Sequence, residues 1–385
     1  MKQIWYILTP LFAFLLAACV GNPGEEMGDG GGNTDPNDNT LRLEVSSPYV
    51  TNDGKDQVVF TVKKGSKDVT EESTIYKGYE PMLAPVFSTT ELGQHKFFAR
   101  YGNETTETII IEAISGLLEV PEDSHPDQYD GFRRRILGLQ GTSLGCTYCP
   151  MMIAALDEFF KLPTANDFVL VAAHGVIGGD DMINDYSTRA INAAGFNGIP
   201  ALSMNLRSSG EMLKPVSGDT PVRLCGKIKT KVEDHMKTSA KTAIAAAVRG
   251  DGNTIRIGAK VKVNTTGKYR ISVWLVEDGI SRPGQQKNGY GSQLSQYNFD
   301  NHNCVLRYIS SSNDITGEIL GGRETTEANQ TVDFFHELPK NNIKVENLSK
   351  TRAIIIVTHA DSKRYTVDNV ISCPMNQEVA FEYNK

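Results

Sequence analysis

Two cysteines spaced for redox chemistry lie near the middle of the chain. Cys146 and Cys149 form a C-x-x-C sequence that Pro150 follows at once. The next residues are apolar at helical spacing: Met152, Ala155, Leu156, Phe159 and Phe160. Proline is tolerated in the first turn of a helix because its missing N–H would have no partner there. The amides and dipole at such a helix N-terminus stabilise a thiolate and lower the pKa of the first cysteine. The second cysteine can then close a disulfide with the first.

The segments around this motif predict an α/β unit that holds the cysteines between a strand and a helix. A strand-like run, 136–139, precedes the motif, and FVLVAAH at 168–174 fits a buried central strand. An amphipathic closing helix is predicted at 221–237. A C-x-x-C in such a setting is typical of thioredoxin-like redox motifs. We therefore predict a thioredoxin-like domain over residues 132–239.

Ile199 and Pro200 are the predicted substrate-binding residues. In the thioredoxin fold, a proline that usually has a cis peptide bond precedes an edge strand beside the C-x-x-C loop. Pro200 precedes the short run Ala201-Leu202-Ser203-Met204 and is assigned this position. The backbone of residue 199 would then be open to pair with an extended substrate strand. The alternative is an ordinary trans proline at the start of a strand.

The N-terminus predicts export and a lipid anchor. Residues 4–18 are almost wholly apolar and end in Leu16-Ala17-Ala18-Cys19, which marks a secretory signal. This ending resembles a bacterial lipoprotein signal, in which Cys19 is lipidated and acyl chains hold the protein to a membrane. The alternative is an ordinary signal peptide with a chance cysteine. Residues 20–40 are rich in Gly, Asn, Asp and Pro and predict a flexible linker. An exported protein is also permitted disulfides.

Two β-rich regions flank the predicted redox domain, so the predicted fold class is multidomain. Residues 41–113 contain alternating runs and turns that fit a β-sandwich, and they resemble bacterial immunoglobulin-like domains. Residues 114–131 form a connector rich in Pro and Asp. Residues 240–385 contain about seven strand-like runs that predict an antiparallel β-sandwich. Its long loop at 279–303 is rich in Gly, Gln, Asn and Tyr, a composition suited to polar recognition.

Composition and motifs exclude several function classes. The net charge of −7 and the lack of basic clusters argue against nucleic-acid binding. No Walker loop, H-E-x-x-H or G-x-S-x-G sequence is present, so nucleotide and hydrolase readings lack support, and no cofactor is predicted. A zinc site using the C-x-x-C, Cys225 and a histidine would lack the second half of the usual ligand spacing, so no metal is predicted.

The remaining cysteines leave the disulfide pattern open. Without Cys19, five of the six cysteines remain. Because five is an odd number, at least one cysteine is expected to be free or paired between molecules. Cys225 is interpreted as a packed core thiol. Cys304 and Cys373 could bridge two strands of the last domain.

From about residue 136 onward the chain resembles the 28-kDa outer-membrane lipoprotein family of Gram-negative anaerobes. Three segments carry the resemblance: ILGLQGTSLGCTYCP, GFNGIPALSMNLR and VWLVEDGISRPGQ…HNCVLRY. It implies a thioredoxin-like domain followed by a β-sandwich on an outer-membrane lipoprotein, at its periplasmic or its cell-surface face. Compared with working thioredoxins, Gly145 replaces a tryptophan, and Gln140 replaces a buried acid that takes the proton of the resolving thiol. Release of a mixed disulfide should therefore be slow.

Two functions remain open from the sequence. In the first, Cys146 attacks a disulfide of an exported polypeptide, Cys149 resolves the mixed disulfide, and Ile199-Pro200 presents the substrate strand. In the second, the disulfide is static, and the lipoprotein binds a polypeptide, glycan or host partner through its sandwich domains. Fold alone does not decide between them.

Overall fold

The structure is a computed structural model that describes residues 39–384, apart from 48, 115, 117, 207–211, 251–253, 287–290, 312–313 and 362–363. The predicted signal peptide, Cys19 and most of the predicted linker lie outside the described residues. Among the residues that are described, no helix is both long and apolar enough to cross a membrane.

The front of the described chain consists of strands packed as two layers. The strands are β1 (Leu41–Val45), β2 (Tyr49–Thr51), β3 (Val58–Lys64), β4 (Lys67–Asp68), β5 (Thr74–Lys77), β6 (Glu80–Pro81), β7 (Val86–Phe87), β8 (Gly93–Tyr101), β9 (Glu104–Thr105) and β10 (Ile109–Ile114). One sheet has the order β1-β3-β4 with β7 on β3, and the other has the order β2-β10-β8-β5-β6 with β9 on β8. Alternate residues of these strands point into one shared core, in which the rings of Phe60 and Phe97 lie 4.8 Å apart. We call this region the front sandwich.

The middle of the chain is an α/β unit with helices on both faces of its strands. Its elements are β11 (Ile136–Thr142), α1 (Cys149–Phe159), β12 (Phe168–His174), α2 (Asp185–Ala193), β13 (Ala201–Met204) and α3 (Pro221–Met236). Strand β11 pairs in parallel with β12 and antiparallel with β13. Both β11 and β12 are buried along their whole length, because one face packs on α1 and α3 and the other packs on α2. The central strand at 168–174 and the closing helix were both predicted.

The last region is a second pair of packed sheets. Its strands are β14 (Thr242–Gly250), β15 (Thr254–Val263), β16 (Tyr269–Glu277), β17 (Ile280–Ser281), β18 (Asn301–His302), β19 (Val305–Ile309), β20 (Glu318–Ile319), β21 (Gln330–Pro339), β22 (Thr351–Asp361), β23 (Arg364–Pro374) and β24 (Glu378–Val379). The antiparallel sheet β21-β15-β14-β24 packs against β16, β22 and β23 around a large aliphatic core. We call this region the C-terminal sandwich.

One sheet joins the α/β unit to the C-terminal sandwich. Its order is β13-β11-β12-β19-β16-β22-β23, with β20 on β16. The junction is a parallel pairing of Ala172 on β12 with Val305 on β19, and the N–H of Ala172 donates to Cys304 O at 2.8 Å. The sheet therefore crosses the boundary predicted between residues 239 and 240. Local patterns do not reveal this pairing, because the two strands are far apart in the chain.

Candidate redox site

The structure brings Cys146 and Cys149 together as a disulfide at the N-terminus of α1. The N–H of Cys149 donates to Cys146 O at 3.2 Å, and the N–H of Cys146 donates to Ser143 O at 3.1 Å, so the turn is closed by its own backbone. Only 4% of Cys146 and 0% of Cys149 is exposed, whereas Tyr148 between them is 61% exposed. The pair therefore lies just beneath the surface.

Gly145 lies where the chain folds closely against another loop. A Cβ atom on Gly145 would lie 2.5 Å from the Cα atom of Gly178, much closer than such atoms approach. Nearby, the hydroxyl of Ser143 donates to Ile177 O at 2.7 Å. The loop around Gly178 thus occupies the space beside the first cysteine. A tryptophan at position 145 would collide with this loop, which gives a physical reason for glycine there.

A buried histidine and aspartate tie the disulfide turn to β12. His174 Nδ1 and Asp180 Oδ2 lie 2.6 Å apart, and both side chains are 1% exposed. Asp180 also accepts from the N–H groups of Leu144 and Met182, each at 2.9 Å. Burial opposes ionisation of Asp180, but the hydrogen bond and charge of His174 and these two amides hold its pKa below the ordinary value. Asp180 is therefore an ionised anchor of the turn, and no signal in the sequence indicated its pairing with His174.

Gln140 occupies a buried position on β11 and carries no acidic group. It is 4% exposed, and its Nε2 atom has no hydrogen-bond partner in the described part of the chain. An amide cannot accept a proton at neutral pH. Gln140 therefore cannot serve as the proton acceptor for Cys149.

Gln285 binds the disulfide turn from the C-terminal sandwich. Its Nε2 group lies 3.1 Å from Ser143 O, 3.0 Å from Leu144 O and 3.1 Å from Cys146 O, and it donates to these carbonyls. The backbone N–H of Gln286 donates to Leu144 O at 2.9 Å. Sequence reasoning missed Gln285, because a glutamine in a long polar loop gives no signal of a partner this far away in the chain.

The predicted substrate-binding residues line a groove beside the disulfide turn. The Ile199–Pro200 bond is cis, as predicted, and Pro200 is followed by the edge strand β13. Among the described residues, the backbone N–H and C=O of Ile199 make no hydrogen bond. The groove has a volume of about 680 Å³. Its walls are formed by Tyr148, Met151, Gly198–Pro200, Lys214–Thr220 and Gln293.

The other described cysteines are free thiols in the interior. Cys225, which lies on α3, packs in the core that α3 shares with α1, as expected. Cys304 and Cys373 do not pair, so the possible bridge between them is wrong. Instead, Arg352 Nη2 donates to Cys304 Sγ at 3.1 Å, and Cys373 Sγ donates to Gln377 O at 3.4 Å. Burial raises the pKa of Cys304 to about 11, so this thiol stays protonated. In the described ranges, no group of three His, Cys, Asp or Glu side chains could hold a metal ion.

Comparison with known proteins shows a family similarity in the second half of the chain. Residues 193–379 match the family model for outer membrane protein Omp28. HBP35 of Porphyromonas gingivalis is similar in structure at 14% identity, over 63% of this chain and 76% of that chain, with a TM-score of 0.49. A domain of the outer membrane lipoprotein Omp28 from Porphyromonas gingivalis is similar at 19% identity, over 36% of this chain and 89% of that chain, with a TM-score of 0.22. No curated protein matches the chain. This match spans a little under half of the chain and supports its resemblance to the outer-membrane lipoprotein family, and with it a location in the outer membrane.

Proposed function

We propose that this protein is an outer-membrane lipoprotein whose Cys146–Cys149 pair, in a thioredoxin-like domain, exchanges disulfides with exported polypeptides. The observation that carries the proposal is the disulfide at the N-terminus of α1, next to a groove in which the Ile199 backbone has no partner among the described residues. An extended substrate strand would hydrogen-bond to Ile199 and bring its own sulfur to Cys146.

The exchange follows from the positions of the two sulfurs. In the oxidised state, a substrate thiolate attacks Cys146, a substrate–Cys146 bond forms, and Cys149 leaves as a thiolate. A second substrate thiolate then attacks the first substrate sulfur, and Cys146 leaves as a thiolate. The substrate is thereby oxidised to a disulfide and the protein is reduced to a dithiol. The positive end of the α1 dipole stabilises the Cys146 thiolate, which favours it as the leaving group.

The lipid anchor is the second part of this proposal. Cys19, after its small-residue run, would carry the acyl chains, and residues 20–40 would link it to the front sandwich. Incorporation of labelled palmitate into the wild-type chain, and its loss in Cys19→Ala, is the expected result. Equal labelling of both chains would contradict lipidation at Cys19.

A static disulfide in a non-enzymatic binding lipoprotein is the second candidate. Its specific support is burial, because the two cysteines are 4% and 0% exposed and Gln285 binds three carbonyls of the same turn. A buried disulfide whose turn is held on several sides resists attack by an external thiolate. Under this function, the sandwiches would contact a polypeptide, glycan or host partner.

The reduction potential of the pair separates the two candidates. The measurement uses the full chain carrying Cys19→Ser, Cys225→Ser, Cys304→Ser and Cys373→Ser, equilibrated with glutathione buffers. A potential between about −270 and −120 mV is expected for exchange, since catalysts of this reaction fall in that range. A potential below about −300 mV would establish a structural disulfide and the binding function. The same chain with Cys146→Ser and Cys149→Ser provides the baseline.

Gln285→Leu tests whether the contact from the C-terminal sandwich limits access to the disulfide. Loss of the donor to Ser143, Leu144 and Cys146 should loosen the turn and raise the rate of reduction by dithiothreitol severalfold. Gln57→Leu, at an exposed position in the front sandwich, is the matched control. An unchanged rate in Gln285→Leu would show that this contact does not control access.

A further inference from the structure

A cavity behind α1 shares no lining residue with the groove beside the disulfide. It lies between α1, the strands β11 and β12, and the loop that leads into β19, and its volume is about 630 Å³. Pockets for small molecules span roughly 300–1,000 Å³, and one water takes about 30 Å³. The cavity is therefore large enough for a small organic ligand.

Two side chains that line this cavity each carry a buried polar atom without a partner in the described residues. Gln140 and Thr142 line it from β11 and are 4% and 3% exposed. Within the described residues, Gln140 Nε2 and Thr142 Oγ1 make no hydrogen bond. A buried polar group without a partner costs about 1–3 kcal/mol. Rotation of each side chain toward a polar ligand in the cavity would supply the missing hydrogen bonds.

The rim is built for hydrogen bonding to hydroxyl groups. Asn298, Asn301 and Asn303 come from the loop whose Gly, Gln, Asn and Tyr composition suggested polar recognition, and all three are exposed. Each carboxamide NH₂ group offers donors. Asn298 Oδ1 already accepts from the N–H of Asp300 at 2.9 Å and Asn303 Oδ1 from the N–H of Gly279 at 2.8 Å, so each of these oxygens has one lone pair left for a hydroxyl. Phe160, 45% exposed, and the buried Phe299 add apolar surface. This combination of amides and aromatic rings suits a ring that has hydroxyl edges and an apolar C–H face.

The charges of the cavity disfavour an anion. Arg352 is already bound to Asp278, with Nε to Oδ2 at 2.7 Å and Nη2 to Oδ1 at 3.0 Å. Burial, and then the charge of His174, lowers the pKa of His302, so this ring is neutral near pH 7. Asp157 adds a carboxylate at the α1 side of the rim. Among the described residues that line the cavity, no cation is left without a carboxylate partner, so none attracts a phosphate or a carboxylate.

We propose that this cavity binds a neutral saccharide, with Gln140 and Thr142 as the buried hydrogen-bonding groups and Asn298, Asn301 and Asn303 at the rim. Binding does not require the disulfide to open or to react. The site would thus add glycan recognition to the chain independently of thiol–disulfide exchange.

A glycan array followed by calorimetry tests this proposal. The probe is the full chain, purified from membranes in a detergent without a sugar headgroup, applied to neutral mono- and oligosaccharides, with sialic acid and inorganic phosphate as anionic competitors. We expect binding of at least one neutral saccharide, and a loss of about tenfold in affinity for Gln140→Leu and for Thr142→Val. Gln57→Leu and Thr105→Val, at exposed positions in the front sandwich, are matched controls and should bind as wild type.

Stability of the same variants separates binding from a structural role. Gln140→Leu and Thr142→Val remove polar atoms that have no partner in the described residues, so both variants should unfold at wild-type or higher denaturant concentration. Failure of every neutral saccharide to bind, preferential binding of an anionic competitor, or unchanged affinity in both variants would overturn the proposal. A Cys146→Ser, Cys149→Ser chain should still bind the saccharide, so loss of exchange and loss of this site can be told apart.

Discussion

The C-terminal sandwich contacts its two neighbours in different ways. Its contact with the α/β unit, which we call the shared-sheet contact, includes the β12–β19 pairing and Asn369, which donates to Arg133 O at 3.0 Å and accepts from the N–H of Arg135 at 2.9 Å. Glu382 accepts from both arginines, at 2.7 and 2.6 Å. Each charged group and each backbone group named here therefore has a hydrogen-bonding partner across the shared-sheet contact.

The front contact, between the front sandwich and the C-terminal sandwich, is built differently. The rings of Tyr49 and Phe335 meet edge to face at 6.2 Å. Burial, and then the charges of Glu318 and Glu337, raises the pKa of Glu112 on β10. Like charges at this contact oppose docking at neutral pH. The comparison teaches that the α/β unit and the C-terminal sandwich share one sheet and paired polar groups, whereas the contact of the front sandwich carries like charges and should depend on pH.

Asn369→Ala should produce the largest effect, because it breaks the shared-sheet contact. Asn369 is 2% exposed, donates also to Thr242 O at 2.7 Å and accepts also from the N–H of Val370 at 3.0 Å, so its loss removes the partner of four backbone groups. We expect the free energy of unfolding to fall by about 3 kcal/mol. Urea denaturation followed by the fluorescence of the buried Trp274 measures it.

The matched control for Asn369→Ala is Asn103→Ala in the exposed turn between β8 and β9. This control should leave the Trp274 transition unchanged. An equal loss in both variants would show that the shared-sheet contact does not depend on the buried amide.

Acid should weaken the region next to the front contact through His336. Burial lowers the pKa of this ring from 6.5 to about 4, and its Nε2 atom lies 2.9 Å from Tyr308 Oη. A histidine whose pKa is lower in the folded state than in the unfolded state contributes its full stabilisation of the fold above pH 6.5. This contribution is lost as the pH falls toward 4. At pH 4 the loss is about 3 kcal/mol, since each pKa unit corresponds to about 1.4 kcal/mol.

His336→Gln removes this titration and keeps a group that can bond Tyr308. The free energy of unfolding should then change less between pH 7 and pH 4 than in wild type, in urea titrations at each pH. His125→Gln, on the connector, provides a control for general acid effects. The same pH dependence in His336→Gln and wild type would exclude this histidine as the source.

Glu318→Gln should have the smallest effect, and it should raise the stability of the fold instead of lowering it. Burial of its carboxyl raises the pKa of Glu318, and its charge acts on Glu112. A carboxyl whose pKa is raised in the folded state destabilises the fold when it is ionised, above that pKa. This loss of stability disappears as the pH falls through the pKa and the carboxyl becomes protonated. The thermal midpoint of Glu318→Gln should therefore exceed wild type slightly at pH 7.5 and match it at pH 3.5. Glu80→Gln, on exposed β6, should match wild type at both pH values.

The candidate site was predictable where the signal was local. The C-x-x-C spacing and the helical pattern after it are contained within a few residues, so the disulfide at the start of α1 could be predicted. The position of Ile199-Pro200 before an edge strand was also predicted, from a resemblance in strand order. Gln285, Asp180 and Asn369 gave no signal, because each acts on backbone groups that lie far away in the chain or in an irregular loop.

The sequence alone determined the elements and their chemistry. Alternating and continuous apolar runs set strands such as β12, β14 and β15, because burial of one or both faces imposes the period of the side chains. Only the tertiary structure decided that β19 joins β12, that Gln285 binds the disulfide turn, and that Gln140 and Thr142 face a cavity. The physical reason is that these features depend on which distant groups become neighbours when the hydrophobic surfaces pack, and no local pattern records that choice.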